Sequence, residues 1–440
     1  MQSPSHKLEA RHHWRPYTDI ARFDEGPWTL VERAEGLFLH TADGQRLYDG
    51  IASWWCVALG HGERRILDAI QRQAGQLQHC ISGTLSHGPA IALAARLSAL
   101  TDHALPHVYF ASDGASVVEA ALKLAAHYWT LRGKPEKTRF VALDEAYHGD
   151  TLGAIGVGYT SWFRGPYGKL VHPAIQAPSP WTPSMDAAEQ MAHARAAYDT
   201  LAATVRAQRD EIAAIVLEPC VQAAAGIRIY PPEYLAWVRA LCDECEVLFI
   251  ADEIATGFWR TGPCFACDAA SIRPDIMLLG KALTGGYLPM SALLATDAIY
   301  DTFRAKSPAE RIVFWDGHTF TGNPICAAAA LAALDCYAQD DIGTHVAAVA
   351  PALAEVFAQI AAHPAVESHR TLGMIGMCTL RESHGGAEAA RRAADIALSR
   401  GLFTRPLGPV LYLWPPLVAT ADDCRAMGSI LEASIAAAVS

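Results

Sequence analysis

Two residues and one short turn carry most of the chemistry legible in this sequence. Asp252 stands directly after the apolar run VLFIA (247–251). Ligands of open α/β sheets gather at the carboxyl ends of strands, so an acid emerging there is well placed. Lys281 ends a second apolar run, IMLLG (276–280), and opens the glycine-rich ALTGGYLP (282–289). An amine leaving a buried strand loses solvation, which lowers its pKa and suits it to act as a nucleophile or Schiff-base former. The turn Ser112-Asp113-Gly114-Ala115-Ser116 joins HVYFA (107–111) to the helical VVEAALKLAAHYW (117–129). Small residues at a strand-to-helix turn leave backbone N–H groups free to hold a phosphate. Taken singly, each has an ordinary reading: a helix-capping carboxylate, a lysine reaching for solvent, an unremarked helix start. Together they describe a site for pyridoxal 5'-phosphate. The lysine would bond its aldehyde, the acid would keep its ring nitrogen protonated, and the helix start would hold its phosphate.

Such a site needs neighbouring strands that end on one edge. The runs HVYFA (107–111), RFVAL (139–143), IAAIVLE (212–218), EVLFIADE (246–253) and IMLLGK (276–281) are short, rich in Val, Ile, Leu and Phe, and separated by helical or loop sequence. Near-continuous apolarity signals burial on both faces and predicts an α/β fold with a mostly parallel central sheet. Upstream, LFLHTADGQRLYDG (37–50) alternates around Asp43-Gly44 and predicts a hairpin, since Asp-Gly tolerates a tight turn with positive φ. Beyond 326 the chain turns Ala-rich and helical, then strand-like at 371–380 and 409–414. The expected division is a large domain over 61–325 and a discontinuous α+β domain from 1–60 and 326–440.

Composition narrows the function classes. The 440 residues carry 35 Lys and Arg against 46 Asp and Glu, a net charge of −11. An acidic chain without a basic block is a poor partner for nucleic acid or anionic membrane. The sequence has no signal-like N-terminus and no uninterrupted apolar run of spanning length, and its eleven cysteines are an odd number, so reduced thiols in a cytoplasmic enzyme are expected. Cys242-x-x-Cys245 and Cys264-x-x-Cys267 have the spacing of a four-cysteine zinc site. A helix and then a six-residue strand of ~20 Å intervene, which predicts buried thiols at opposite ends of the sheet and no metal.

The segments LEP (217–219), DEIATGFWRTG (252–262), PDIMLLGKALTGGYLP (274–289) and HTFTGNP (318–324) resemble the core of the class III, fold-type I pyridoxal-phosphate aminotransferases over nearly the whole chain. The resemblance implies Lys281 as the catalytic lysine, and Gly114, Ala115, Asp252 and Thr319 as cofactor contacts. It also implies Tyr147, in Tyr147-His148-Gly149-Asp150, as the ring stacked on the cofactor. It further implies a homodimer in which Thr319 reaches the partner's phosphate.

HHWRPYT (12–18), DGIASWWC (49–56), YHGDTLG (147–153) and RPLGPVLYLWPP (405–416) are similar to the subgroup that moves an amino group from S-adenosylmethionine to 8-amino-7-oxononanoate in biotin biosynthesis. Ala255 stands where the ornithine enzymes of the family usually carry Gln. The implied acceptor is a long aliphatic chain with a carboxylate at one end. Tyr17, Trp54, Trp55 and Tyr412 would supply its apolar wall and Arg405 the grip on its carboxylate. On an extended segment adjacent tryptophans face opposite ways, which would leave one of the pair in the pocket. Three departures from the family pattern bear on function. Ala115 lacks a hydroxyl that relatives offer the phosphate, leaving backbone N–H groups or Ser116 to compensate. DGHTF (316–320) places His318 where the subgroup has proline, at the edge of the donor site, and CVQAAAGI (220–227) has alanines for glycines. A class III ω-amine or diamine aminotransferase, an aminomutase or racemase, and a non-catalytic binding protein are the competing readings.

Overall fold

Seven strands form the central sheet of the computed structural model, which describes residues 4–21, 28–158, 165–304 and 311–440. Across the sheet the order is His107–Ala111, Ser291–Ala295, Ile276–Leu279, Leu248–Asp252, Ile212–Leu217, Arg139–Leu143 and Ile175–Ala177. Five are the apolar runs read from sequence. The sixth and seventh escaped that reading because IQA is three residues long and SALLA follows the glycine-rich turn with small residues. Ser291–Ala295 runs antiparallel to both its neighbours, and every other pairing is parallel. The carboxyl ends Leu143, Leu217, Asp252 and Leu279 therefore share one edge of the sheet, and the turns leaving them meet there.

The helix Gly114–Leu131 packs its Val117, Ala121, Leu124 and Ala125 face on the sheet, and Trp129 hydrogen-bonds the Ala213 carbonyl at 2.8 Å. On the other side Glu233–Cys245 packs with Ala187–Gln208, burying Tyr234, Val238, Leu241, Tyr198 and Leu201. Burial of this kind stabilises by roughly 25 cal/mol per Å² of apolar surface, so these layers hold the strand ends in fixed register.

The predicted hairpin is present. Phe38–Thr41 pairs antiparallel with Arg46–Asp49 around Gly44, whose φ of +88° suits a residue without Cβ. Val31–Glu35 extends this sheet on one side, and Leu402–Phe403 joins Arg46–Asp49 in parallel on the other, with Phe403 opposite Asp49. A third, antiparallel sheet holds Val366–Leu372, Ile375–Leu380 and Val410–Leu413. Ile342–Ile360 and Gly386–Ser399 pack on it and Ala421–Val439 packs on those two helices, whereas Pro324–Gln339 packs on Arg64–Gln76 and Gly88–Leu100. Ile342–Ile360 is long and apolar enough to cross a membrane by length and composition. Here it is a core helix, burying Val346, Leu353, Val356 and Phe357.

All eleven cysteines are free thiols. Cys242 and Cys245 lie on the buried face of their helix, with Cys242 Sγ toward the Leu248 carbonyl. Cys267 sits at the start of a short 3₁₀ turn, where its N–H donates to Glu253. Among the described residues no three His, Cys, Asp or Glu side chains gather as a metal site.

Candidate active site

The strand-end turns enclose a cavity of about 530 Å³ lined by Gly114, Ala115, Tyr147, His148, Gly149, Asp150, Glu218, Asp252 and Lys281. Tyr17, Trp54 and Trp55 line it too, and the same three side chains, with Tyr147 and Asp150, border a larger chamber of about 1050 Å³. The two spaces are one continuous site.

At the floor, Lys281 leaves its strand through a residue with φ +42°, opening a 3₁₀ turn that ends at Gly285. Burial pushes the Lys281 amine below its ordinary range, against the pull of the Asp252, Glu218 and Cys56 charges. Nζ has no hydrogen-bond partner among the described residues and lies 5.3 Å from the centre of the Trp55 ring. A lysine so held is neutral more readily than one in water, the state in which nitrogen attacks a carbonyl or takes a proton.

Asp252 is 4% exposed, and its two oxygens are held separately. Oδ1 accepts the Ile254 N–H at 3.1 Å, and Oδ2 meets His148 Nδ1 at 2.7 Å. Burial alone would lower the His148 pKa, but its hydrogen bond to Asp252 and the charges of Asp252 and Glu218 raise it. His148 Nε2 is buried with no partner among the described residues. Glu218, the next carboxylate inward, accepts the Tyr147 N–H at 3.1 Å and the Ala223 N–H at 3.0 Å. Its burial outweighs the nearby His148 and these two bonds, and its carboxyl is pushed up to about 7.

The turn at 112–116 leads from strand to helix. Asp113 caps Gly114–Leu131 by accepting the Ser116 N–H at 2.9 Å, and its backbone carbonyl is held by Ser291 Oγ at 2.7 Å. Ser116 Oγ donates to Asp113 Oδ2 at 2.8 Å, so that hydroxyl is engaged in the cap and does not compensate for Ala115. The N–H groups of Gly114 and Ala115 are left without an acceptor among the described residues. Opposite them Gly149 has φ +129°, and a Cβ on it would stand 2.6 Å from Ala115 Cβ. Only glycine fits there.

The chamber walls correct one expectation. Trp54 and Trp55 stand on no extended segment: Ala52, Ser53, Trp54 and Trp55 have φ of +49°, +45°, +71° and +73°. They form a single left-handed turn, closed by Trp55 N–H to the Ile51 carbonyl (2.9 Å) and Cys56 N–H to that of Ala52 (3.1 Å). This conformation costs L-residues roughly 1–2 kcal/mol each, and no glycine in the sequence announces it. The alternation of an extended segment does not apply, and both rings line both spaces. Trp55 stacks on Trp414 at 5.0 Å and donates from Nε1 to Tyr412 Oη at 3.3 Å. Trp54 stays 44% exposed, with Tyr17 edge-on at 5.6 Å and the Arg405 guanidinium 4.4 Å from its ring centre.

Of the residues singled out in the sequence, Tyr17, Trp54, Trp55, Gly114, Ala115, Tyr147, Asp252 and Lys281 line the inner cavity, and Arg405 and Tyr412 the outer chamber. Thr319 lines neither. It is exposed, on a loop fastened to the rest of the chain by Asp316, which accepts from Tyr109 Oη at 3.0 Å and from Lys123. Glu218, His148 and Asp150 were not singled out. His148 and Asp150 flank Gly149 inside the motif that marked Tyr147, and Glu218 directly follows the strand Ile212–Leu217 on the edge where Asp252 ends its own; those positions were their signal. Asp150 binds both Tyr17 and Tyr147, tying the N-terminal segment over the cavity, and burial with this bond pushes the Tyr17 phenol up to about 12.

Pyridoxal phosphate fits these residues on observations of the chain itself. Two unpaired N–H groups face a wall where no Cβ is tolerated, an amine with a lowered pKa stands free, and a buried carboxylate is braced by a histidine. The Aminotransferase class-III family profile matches residues 20–435. The adenosylmethionine-8-amino-7-oxononanoate aminotransferase of Synechococcus elongatus is 39% identical over 428 residues, 96% of this chain and 97% of that one. The crystal structure of the enzyme of the same name from Methanocaldococcus jannaschii superposes with a TM-score of 0.91 at 32% identity, covering 98% of each chain. An amine transaminase from an uncultivated Pseudomonas species, in a PLP-bound form, gives 0.90 at 30% identity over 97% of this chain and 98% of that one.

Proposed function

The chain belongs to the class III aminotransferases, and from that premise we propose that it moves an amino group from S-adenosylmethionine to 8-amino-7-oxononanoate, giving 7,8-diaminononanoate in biotin biosynthesis. The observation that carries the choice of substrate is the chamber beyond the lysine. It is walled by Trp54, Trp55, Tyr17 and Tyr412, with the Arg405 guanidinium laid on Trp54. An aliphatic keto acid needs such an apolar wall and a distant cation, and arginine offers a carboxylate two parallel hydrogen bonds.

When bound, pyridoxal phosphate supplies an aldehyde for the amine and a protonated ring that draws electrons from the reacting carbon. The chain's own residues do the rest. The Gly114 and Ala115 N–H groups would hold the phosphate at the positive end of their helix. Asp252 would accept the ring nitrogen's N–H and keep that nitrogen protonated, while His148 fixes the carboxylate's orientation and supports its charge. Tyr147 covers the cavity from the turn opposite the cradle. Lys281 Nζ would take the proton from the donor's Cα, a role that the burial-lowered pKa of its amine favours. Asp150, through Tyr17 and Tyr147, holds the N-terminal segment over the site and limits the entry of water.

The same reading extends to assembly. Trp315 and Phe320 are 82% and 62% exposed on the loop of Thr319, an apolar surface that a second copy would cover. We read the protein as a cytoplasmic homodimer in which Thr319 completes the partner's phosphate site, and its domains as 61–325 and 1–60 with 326–440. An ω-amine transaminase is the second reading, favoured by the similarity to the amine transaminase structure.

A donor and acceptor screen of the purified protein separates the two. Diamine formation from 8-amino-7-oxononanoate with S-adenosylmethionine is expected, and Lys281→Ala should lose it together with the visible absorbance of the bound cofactor. Turnover of simple ω-amines with no product from 8-amino-7-oxononanoate would overturn the assignment.

A further inference from the structure

We propose that Asp49 is a positioning residue of the reaction: it locks the left-handed turn on which Trp54 and Trp55 stand, and so sets the wall of the substrate chamber. The proposal rests on the reading above for the identity of the substrate, and on the turn alone for the geometry.

Four consecutive L-residues with positive φ do not hold that shape unaided, because each Cβ crowds the carbonyl that follows it. Something must favour this turn over a right-handed or extended one. Trp55 is packed on Trp414, and the backbone and side chain of Ser53 within the turn are held by the Asp49 carboxylate. Asp49 is 1% exposed, and its Oδ1 accepts the Ser53 N–H at 2.9 Å while Oδ2 accepts the Ser53 hydroxyl at 2.7 Å. Both bonds exist only when Ser53 folds back over Asp49. Oδ2 also meets His61 Nε2 at 2.9 Å, and His61 is pinned by two backbone bonds to Gly36. An ionised acceptor roughly doubles the strength of such bonds, and a buried carboxylate that lost them would be left unsatisfied.

Asp49 also stands where the two ends of the chain meet. It lies opposite Phe403 in the parallel pairing, the next residue donates its N–H to the Phe403 carbonyl at 3.0 Å, and two positions beyond Phe403 is Arg405. The Arg405 guanidinium then lies on the Trp54 ring. One strand end thus orients the aromatic wall by side-chain bonds and the cation by backbone register. Asp49, Ser53 and His61 line neither the cavity nor the chamber, so their influence passes through the tryptophans.

Asp49→Asn keeps the shape and removes the charge and one acceptor. In the apoprotein, the near-ultraviolet dichroism that reports the Trp55–Trp414 stack should weaken. In the holoenzyme, the KM for 8-amino-7-oxononanoate should rise about tenfold, with kcat and cofactor affinity within about twofold of the parent. Ser53→Gly added to Asp49→Asn should restore part of both signals, since glycine enters the left-handed region without penalty at one of the four positions; a merely structural carboxylate would not be rescued this way. Unchanged dichroism and KM in Asp49→Asn, or failure of Ser53→Gly to restore any part of them, would overturn the proposal. If Asp49→Asn does not fold, Ser53→Ala removes a single bond and should raise the same KM about threefold; an unchanged KM overturns the proposal equally. A protein that turns over a different acceptor defeats the substrate reading alone, because the dichroism and its rescue need no substrate.

Discussion

Gly149→Ala is the sharpest test of the cofactor cradle. The new Cβ would stand 2.6 Å from Ala115 Cβ and 2.8 Å from Ala115 Cα, on a backbone with φ +129°. Carbon atoms pack at about 3.5–4.0 Å, so one wall must retreat by about 1 Å. Neither wall is the free end of a flexible side chain. Ala115 belongs to the first helical turn, and Gly149 lies between His148, bonded to Asp252, and Asp150, bonded to Tyr147. Backbone strain of about 1–3 kcal/mol adds to overpacking of about 1–3 kcal/mol, and we expect a loss of about 3 kcal/mol in unfolding free energy. Relief of that strain opens the cradle, so the dissociation constant of pyridoxal phosphate should rise at least about tenfold, which corresponds to 1.4 kcal/mol. Urea unfolding of the apoprotein measures the first quantity and titration of cofactor absorbance the second. Gly75→Ala is the control: it lies in the helix Arg64–Gln76 with nothing within 4 Å of the new Cβ, and should stabilise by about 0.5–1 kcal/mol. A Gly149→Ala protein that unfolds with its parent and binds cofactor equally well would refute the cradle.

Arg405→Lys should raise the KM for 8-amino-7-oxononanoate about tenfold in initial-rate measurements, because an ammonium can neither lie flat on Trp54 nor grip a carboxylate with two bonds; an unchanged KM would remove Arg405 from the grip. Ala115→Ser adds a hydroxyl beside the free N–H groups and should tighten cofactor binding about two- to tenfold by titration, whereas weaker binding would mean the space facing Gly149 is already full. Glu218 holds its proton in the folded chain up to about 7 against an ordinary 4.5. Its favourable contribution is therefore complete below about 4.5 and is lost as pH rises to about 7, amounting to ~3 kcal/mol at most. Thermal unfolding of the apoprotein at pH 5 and pH 8 should show a smaller decline for Glu218→Gln than for the parent, and equal declines would contradict the burial argument.

Much of the site could be read from the chain because its logic is local. Asp252 and Lys281 each end an unbroken apolar run, and such runs become neighbouring parallel strands whose ends share an edge. The glycine-flanked turn at 112–116 needed only the next helix to become an N-terminus. What escaped was non-local or conformationally unannounced. The turn at 52–55 contains no glycine, and its positive φ values are imposed by Asp49 and the packing of Trp55 on Trp414. His148 and Glu218 matter because burial places them beside Asp252, 104 residues from His148 in sequence. The strand Ser291–Ala295 was hidden by its small residues, which fit between two strands instead of proclaiming a core. Thr319 stands outside the cavity of its own chain, and sequence could place it only by resemblance.

The parallel pairing of Arg46–Asp49 with Leu402–Phe403 imposes an order on how the enzyme is made. During synthesis the residues of the cofactor cradle, from Gly114 to Lys281, have all left the ribosome long before Arg405 exists. The Gly114–Lys281 part of the cofactor's place is thus made while the substrate chamber still lacks a side. For about 350 residues of elongation, one edge of the N-terminal hairpin has no strand to cover it. That interval, lasting tens of seconds at about 5–20 residues per second, is when the chain is most open to wrong pairings and to chaperones, and it closes only with the arrival of the strand that brings Arg405.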